Sequence, residues 1–227
     1  MRARWPRATS VLLCAALLAG PACGEESLPP EIEAWIGSPP DDAVKLGVRG
    51  DLSGRGTRDW AGVVRPASFD AKADPLGGWQ VVVFLQQPDG HYRLAVHSKP
   101  FSFDCGSSWC SLKDLRIERH SLFVEWLSHW HAIFESGTYQ FQPRDGAWPL
   151  IGMVKDTSDD PDDGGPSSQE TISHNRLTGD VVVSCTMGGK PPRVRRSRIV
   201  APRLDLADFA LFHTDLDVDF PGRCHPH

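Results

Sequence analysis

The sequence has none of the short motifs that mark the commonest nucleotide-binding and hydrolytic sites. It contains no GxxxxGK[ST] phosphate-binding loop, no GxGxxG fingerprint between a strand and a helix, and no GxSxG nucleophile elbow. It also lacks the HExxH pattern of zinc peptidases. The sequence therefore gives no sign of these four kinds of site. The alternative to a non-enzymatic protein is a hydrolase of another design.

Long apolar runs are also absent, apart from one short run near the start. Val11–Ala19 reads VLLCAALLA, is preceded by three arginines and is followed by small residues up to Gly24. A positive region, a short apolar region and small residues in that order are typical of a secretory signal peptide. The run is too short for a membrane-spanning helix, which needs about 20 apolar residues. We therefore predict that residues 1–22 are a signal peptide and that the rest is exported, to the periplasm or the cell surface.

The signal region ends in a cysteine that allows two kinds of processing. Gly20–Ala22 places a small residue before Cys23, as in bacterial lipoprotein signals, although Leu18 lies two positions too early for that pattern. A lipid on Cys23 would tether the protein to a membrane face. Cleavage by ordinary signal peptidase near Ala22 or Gly24 would leave it free, and both alternatives stay open.

Charge of neither sign dominates the chain. It carries 24 Lys and Arg against 29 Asp and Glu, for a net charge of −5 and a pI near 6.0. This balance argues against a nucleic-acid binder, whose electrostatic footprint is strongly basic. Hydrophobic residues make up 40% of the chain, which is enough for a core. We predict one β-rich domain over residues 46–227, preceded by a proline-containing linker over residues 23–45 with one helical turn.

Four cysteines lie beyond the leader, and their even number in an exported chain favours disulfides. The Gly/Ser loop between Cys105 and Cys110 could close on itself, and a bond between Cys185 and Cys224 would then hold the C-terminal tail. Sequence alone cannot choose among the possible pairings. Free thiols and metal binding by Cys105 and Cys110 are the alternatives, although a four-residue gap without a second pair is a weak zinc pattern.

Apolar residues alternate with polar ones along most of the chain, which is typical of strands. Trp79–Leu85 is a β-branched and aromatic run, and the Pro88–Gly90 turn leads to a return strand over His91–Val96. Further strands are predicted at 115–117, 122–126, 130–134, 139–141, 148–154, 181–184 and 194–200. Short connections imply antiparallel hairpins. The predicted fold class is mainly β, an antiparallel hairpin-built sheet or sandwich with a minor helix at Leu204–Phe212.

Two segments lack this alternation. Asp156–Ser168 is polar and acidic without core residues, so we predict a disordered acidic loop near 156–168. Leu216–His227 is predicted to form an extended tail.

Three short blocks resemble a known family of exported proteins. Gly50–Ala61 reads GDLSGRGTRDWA and resembles one copy of the FG-GAP/VCBS motif, whose pattern is GDxNxDGxxD followed by an apolar strand. Trp148–Gly152 and Asn175–Gly179 resemble the WxLIG and NxLTG blocks of exported bacterial hypothetical lipoproteins that carry a single such motif. The resemblance extends over residues 46–200 and implies a cell-envelope protein. A single copy excludes a full propeller, which needs at least about four blades.

The same resemblance implies a calcium-like loop that has lost one ligand. In FG-GAP repeats the acidic loop can bind calcium through oxygens at alternating positions, which here implies Asp51, Ser53 and Asp59 with the Thr57 carbonyl. Arg55 stands where the family has an acidic residue, so a cation replaces a ligand and would repel the metal. We therefore expect a metal-free turn and no cofactor, with weak calcium binding as the alternative.

One pair of histidines has a metal-site interpretation and a plain one. His129 and His131 would share one face if both lay on a strand, where they could hold a metal with His120 or Glu125. No metal-site spacing supports this, so an exposed polar strand face is the expectation.

Two further features have both a functional and a structural interpretation. The basic run Lys190–Arg198 could touch anionic lipid headgroups, protect an edge strand from other strands, or pair with the acidic loop. Most tryptophans are expected in the core. Trp109, in the Gly/Ser loop between two cysteines, is expected to be exposed and is the candidate ligand-binding residue.

Together these observations predict the location of the protein more directly than its activity. We expect a non-enzymatic binding or structural module of the cell envelope, whose partner is an envelope glycan or a protein and not a nucleic acid. The alternative is a hydrolase in the periplasm or at the cell surface, for which no catalytic residue is predicted. A convergent cleft of histidines and carboxylates would favour the enzyme, and an exposed aromatic patch would favour binding.

Overall fold

Antiparallel strands make up most of the described chain. The computed structural model describes residues 27–36, 43–70, 72, 74, 76–106, 108–159 and 165–212. A 3-10 helix at Leu206–Asp208 follows the last strand. The helix and strands are α1 (Pro30–Ile36), β1 (Val44–Gly50), β2 (Asp59–Val64), β3 (Gln80–Gln86), β4 (Tyr92–His97), β5 (Asp104–Cys105), β6 (Ser108–Glu118), β7 (Ser121–Trp130), β8 (Ile133–Phe141), β9 (Leu150–Asp159), β10 (Ser168–Asn175), β11 (Asp180–Met187) and β12 (Arg193–Arg198).

The strands form two antiparallel sheets built from hairpins. One has four strands in the order β1-β2-β3-β4, and the other has eight in the order β12-β11-β10-β9-β8-β7-β6-β5. Every strand therefore pairs with its neighbours along the chain, except where β4 ends one sheet and β5 begins the other. The predicted class, mainly β and hairpin-built with a minor helix, is confirmed.

The main core lies between the two sheets. Side chains alternate across a strand, so every second residue of β2 and β3 faces the eight-stranded sheet and the others face away from it. The inward set is almost inaccessible to solvent and packs together: Ala61, Val63, Val81, Val83, Leu122, Val124 and Phe141. Phe209, after the 3-10 helix, joins this core, with ring centres 5.0 Å from Tyr139 and 5.1 Å from Phe141.

The short helix α1 covers the other face of the four-stranded sheet. Ile32 and Ile36 lie one turn apart on the same side of the helix and are 0% and 3% exposed. They pack with Trp60 and Phe84, which point away from the main core. The helical turn predicted within the linker is therefore present as α1, and it packs against the sheet.

The predicted strand over 130–134 is wrong, because the chain turns there. β7 ends at Trp130 and β8 begins at Ile133, so His131 and Ala132 form the hairpin turn. His131 adopts a φ of 51°, which is uncommon for a residue other than glycine. The sequence has no Gly, Asn or Pro at this turn, and the apolar alternation continues through it.

The disordered acidic loop predicted near 156–168 is wrong for its first four residues. Residues 156–159 are the last four of β9 and pair with both β8 and β10. Asp156 accepts a hydrogen bond of 2.6 Å from the Thr171 hydroxyl, so this acidic residue is held within the sheet. Residues 160–164 lie outside the described residues, and β10 begins at Ser168.

The chain ends differ from the predictions in smaller ways. The predicted helix at Leu204–Phe212 is only a 3-10 turn over Leu206–Asp208, begun by Asp205, whose side chain accepts from the Ala207 amide. The predicted signal peptide and the tail from 216 lie outside the described residues. No helix in the described part of the chain has the length and apolar character needed to cross a membrane.

His174 makes stability depend on pH in a predictable direction. This β10 residue is 1% exposed, and its pKa is lowered because burial disfavours the charged imidazolium and because Arg176 repels it. The unfolded chain then binds the proton more tightly, so the free energy of unfolding should fall as pH drops below about 6.5. Urea unfolding at several pH values should show a shallower fall for His174→Gln. The same change at His129, on the sheet surface, should leave the slope as in the wild type, and equal slopes for all three proteins would contradict the assignment.

Candidate binding site

A pocket of about 360 Å³ lies between β1, the β5–β6 hairpin and the segment that leads into β3. Strand β1, at the edge of the smaller sheet, lies beside β6 of the larger one, so residues from both sheets meet here. We call this the basic aromatic pocket. The side chains that define it are Lys45, Arg65, Trp79, Phe103 and Trp109.

Two cations lie against the aromatic rings of the pocket. The guanidinium carbon of Arg65 is 4.3 Å from the centre of the Trp79 ring, and its Nε donates a hydrogen bond of 3.0 Å to the Gly77 carbonyl. Lys45 Nζ lies 5.5 Å from the Trp79 ring centre and 5.8 Å from that of Phe103. Cation–π attraction at exposed sites is worth about 0.5–1 kcal/mol, so both charges are held at the pocket by its rings.

No acidic side chain and no histidine is found among the described residues that line the pocket. Within the part of the chain that the structure describes, Lys45 also forms no ion pair with a carboxylate. The described lining of the pocket thus carries two cationic side chains. Among these described residues there is also no carboxylate or imidazole, the groups that most often act as a general base.

Trp109 forms the rim of the pocket on a closed hairpin. Its side chain is 59% exposed, as predicted, and it pairs with Asp104 across the β5–β6 hairpin. A disulfide between Cys105 and Cys110 closes this hairpin, and this is one of the pairings that the sequence left open. Because the closed hairpin has few conformations, little entropy is lost when a ligand contacts the Trp109 ring.

Exposed aromatic surface continues from Trp109 across β7 and β8. Trp109 pairs with His129, and His129 pairs with Phe134, so the three side chains share the outer face of the larger sheet. The His129 and Phe134 rings stack with centres 4.0 Å apart, and Phe134 is 52% exposed. Exposed aromatic side chains on neighbouring strands are the feature that the sequence analysis associated with binding.

The residues predicted as calcium ligands lie together in the β1–β2 loop, where Asp59 is fully buried. Its Oδ2 accepts hydrogen bonds from the Leu52 and Ser53 amides at 3.0 and 2.9 Å. Its Oδ1 accepts from the Thr57 hydroxyl and the Gln86 amide, both at 3.0 Å. Both oxygens of this carboxylate are thus bound by donors of the protein itself.

Asp51 holds the exposed half of the same loop. Its carboxylate accepts from the Arg55 amide at 3.1 Å and the Gly56 amide at 3.0 Å. Partial burial raises the pKa of Asp51, but the amides of Gly56, Gly54 and Arg55 lower it by more, so the net pKa is below the usual value.

The Arg55 side chain folds back over this loop. Its Nε donates to Ser53 Oγ at 3.1 Å, and its Nη2 donates to the Gln86 carbonyl at 3.0 Å. A guanidinium therefore hydrogen-bonds one of the predicted calcium ligands. Across the described residues, no group of three or more His, Cys, Asp or Glu side chains is arranged to hold a metal ion. Weak calcium binding by Asp51, Ser53 and Asp59, the alternative to the predicted metal-free turn, stays untested.

The histidines considered as metal ligands lie apart. His129 is on β7, whereas His131 is in the β7–β8 turn and its ring contacts Trp130, with centres 5.1 Å apart. His120 lies at the other end of β7, where its Nδ1 is 3.0 Å from the Asp51 carbonyl oxygen. The prediction that His129 and His131 share a strand face is therefore wrong, because the strand ends between them.

The remaining predicted cysteine sites are only partly described. Cys185, on β11, is disulfide-bonded. Cys224 and the candidate lipidation site Cys23 lie outside the described residues, so the pairing of Cys185 with Cys224 and the lipid anchor stay predictions.

Sequence reasoning found Trp109 but not the cations beside it. Lys45 and Arg65 come from a strand and a loop that are far from Trp109 in the chain, and neither belongs to a local motif.

The three blocks of the resemblance occupy strand ends and turns. Gly50–Ala61 connects β1 to β2 and begins β2, Trp148–Gly152 leads into β9, and Asn175–Gly179 forms the β10–β11 turn. The family assignment that these blocks suggested stays a prediction. No protein-family model, no curated protein and no solved structure matches the chain.

Proposed function

We propose that the protein is an exported, non-enzymatic binding module of the cell envelope that holds an anionic glycan in the basic aromatic pocket. The observation that supports this most directly is that Lys45, Arg65 and the exposed residue Trp109 line one pocket. Exposed aromatic rings stack on the apolar faces of sugars, and cations bind carboxylate or phosphate substituents.

The outer face of the larger sheet favours a chain-like ligand over a single small molecule. Trp109, His129 and Phe134 form a row across three strands, and neighbouring strands are about 4.8 Å apart. The row therefore extends over about 10 Å, which is enough for two sugar units of a longer glycan.

The pocket gives no support to the hydrolase alternative. Glycoside hydrolysis uses a pair of carboxyl groups on either side of the bond that breaks. None of the described pocket residues carries a carboxyl group, so binding without turnover is the function that this geometry supports best.

The proposal predicts selective binding of a polymer of acidic sugars. Isothermal titration with polygalacturonate should give binding that the neutral polymer dextran does not give. Trp109→Ala should weaken this binding about tenfold, because it removes a stacking ring, and Lys45→Gln should weaken it by about threefold or more, because it removes a charge.

The matched controls are Trp130→Ala and Lys113→Gln, which remove an exposed ring and an exposed charge outside the pocket. Trp130 lies on the opposite face of β7 from His129 and should not contribute. Equal affinities for wild type and Trp109→Ala, or equal binding of dextran, would refute the proposal. Release of reducing ends from the polymer during incubation would favour the hydrolase instead.

A further inference from the structure

The last strand of the larger sheet is strongly basic and exposed. β12 pairs with β11, and the described residues place no strand on its other side. Its six residues read RVRRSR and include four arginines, all of them exposed. Lys190 lies just before this strand.

The side chains of three of the four arginines on this strand have no ionic or hydrogen-bonding partner among the residues that the structure describes. In the described part of the chain, Arg193, Arg195 and Arg196 take part in no ion pair or hydrogen bond of their side chains. Arg198 donates from Nε to the Thr178 carbonyl at 2.8 Å, which leaves its positive charge in place. The edge therefore carries a concentrated positive field on a chain whose net charge is −5.

Exposed apolar side chains accompany these arginines. Val194 on β12 is 51% exposed, Met187 at the end of β11 is 42% exposed, and Val200, two residues beyond β12, is 92% exposed. Charged residues on an edge strand are a known protection against pairing with other strands. That role would not account for three exposed apolar side chains at the same edge, because these would promote association.

Positive charge on both faces of the strand favours a flat anionic surface as the partner. Side chains alternate along a strand, so Arg193 and Arg195 lie on one face of the sheet and Arg196 and Arg198 on the other. When the edge of the sheet points at a plane, both rows reach it together, and the apolar side chains can enter the boundary between headgroups and acyl chains.

We propose that this basic edge, residues 190–200, docks the protein edge-on onto an anionic phospholipid surface. Each Lys or Arg near such a surface contributes on the order of 1 kcal/mol, and the contribution falls off within about 10 Å. The acidic groups elsewhere on the molecule are screened over that distance, so the net negative charge of the chain does not prevent docking.

The strand order places the basic edge far from Trp109. β12 and β6 are separated by six strand spacings, or about 30 Å at about 4.8 Å each. A protein that docks through β12 would therefore hold Trp109, together with His129 and Phe134 beside it, away from the membrane. This inference does not depend on the glycan proposal or on a lipid at Cys23.

The test is sedimentation of the full chain with lipid vesicles, with Cys23→Ser in every sample so that no lipid at that position contributes. Vesicles of phosphatidylcholine alone should bind weakly, and vesicles with about a third phosphatidylglycerol should bind strongly in low salt and weakly in high salt. Replacing Arg193, Arg195 and Arg196 together by Gln should reduce the partition coefficient roughly a hundredfold.

The matched control replaces three other exposed cations, Arg93, Lys113 and Arg119, by Gln, and should bind like the wild type. Thermal unfolding of each protein establishes that the variants fold. Unchanged binding of the arginine variant, equal loss in the control, or equal binding to neutral vesicles would overturn the proposal. Binding to a soluble poly-glutamate peptide that is tighter than binding to the anionic vesicles would overturn it too, and would assign the edge to an acidic protein segment.

Discussion

Replacing Asp59 by alanine is expected to lower the free energy of unfolding by about 3–5 kcal/mol. Its carboxylate is fully buried and accepts hydrogen bonds from the Leu52, Ser53 and Gln86 amides and from the Thr57 hydroxyl. Alanine would leave three backbone amides without their acceptor in a site that water does not reach. The loss should exceed that of an ordinary hydrogen bond because the acceptor is charged and serves several donors.

The position of Asp59 explains why one side chain has so large an effect. It is the first residue of β2, and through Gln86 it also binds the last residue of β3. The carboxylate therefore ties the β1–β2 loop to the end of the neighbouring hairpin. Loss of this contact should loosen both connections at once.

Asp51→Ala is the matched control for this prediction. Asp51 lies in the same loop and also accepts from two amides, but its side chain is 27% exposed, so water can replace it. Its removal should cost about 1 kcal/mol. Urea unfolding of both variants measures the difference, and similar losses for the two would show that burial of the Asp59 carboxylate is not what stabilises the loop.

Local pattern predicted some strands and missed others: it predicted none over β1 or β10, although residues along β10 alternate regularly between buried and more exposed positions. β3, β4, β7 and β11 lie close to their predicted positions because β-branched and apolar residues alternate there between clear turns. The pattern failed at His131, where the turn has no characteristic residue, and at Asp156, where an acidic residue is held in a strand by its neighbour's hydroxyl. Each of these depends on which strand lies alongside, and the local pattern of residues does not show that.

The candidate site was predictable only in part, for the same reason. Trp109 could be identified because a bulky ring between two cysteines in a Gly/Ser segment has little to pack against. Lys45 and Arg65 become site residues only when β1 and the segment after β2 lie against Trp79. Packing between the sheets decides this, and neither cation has a distinctive sequence context.

Gly62→Ala is expected to destabilise the protein by about 2–3 kcal/mol, although alanine normally stabilises a strand by roughly 0.5–1 kcal/mol over glycine. A Cβ at Gly62 would lie 2.1 Å from Cη2 of Trp60. The Trp60 ring is 2% exposed and belongs to the cluster that holds α1 on the sheet. The new methyl group would therefore push this ring toward Ile32 and Ile36 and weaken the docking of α1.

A double-mutant cycle with Trp60→Val isolates this cause. Trp60→Val alone should cost about 3 kcal/mol, because it leaves a cavity beneath α1. In that background Gly62→Ala should cost less than about 0.5 kcal/mol, since the ring it collides with is gone.

Gly47, the cross-strand partner of Gly62, gives a graded comparison. A Cβ at Gly47 would be 3.0 Å from the same ring, so Gly47→Ala should lower the free energy of unfolding less than Gly62→Ala does. If the cost of Gly62→Ala were the same with and without Trp60, backbone strain in β2 and not the ring would explain the need for glycine. The expected coupling would instead show that two glycines on adjacent strands form the floor on which Trp60 lies, and that this ring attaches α1 to the sheet.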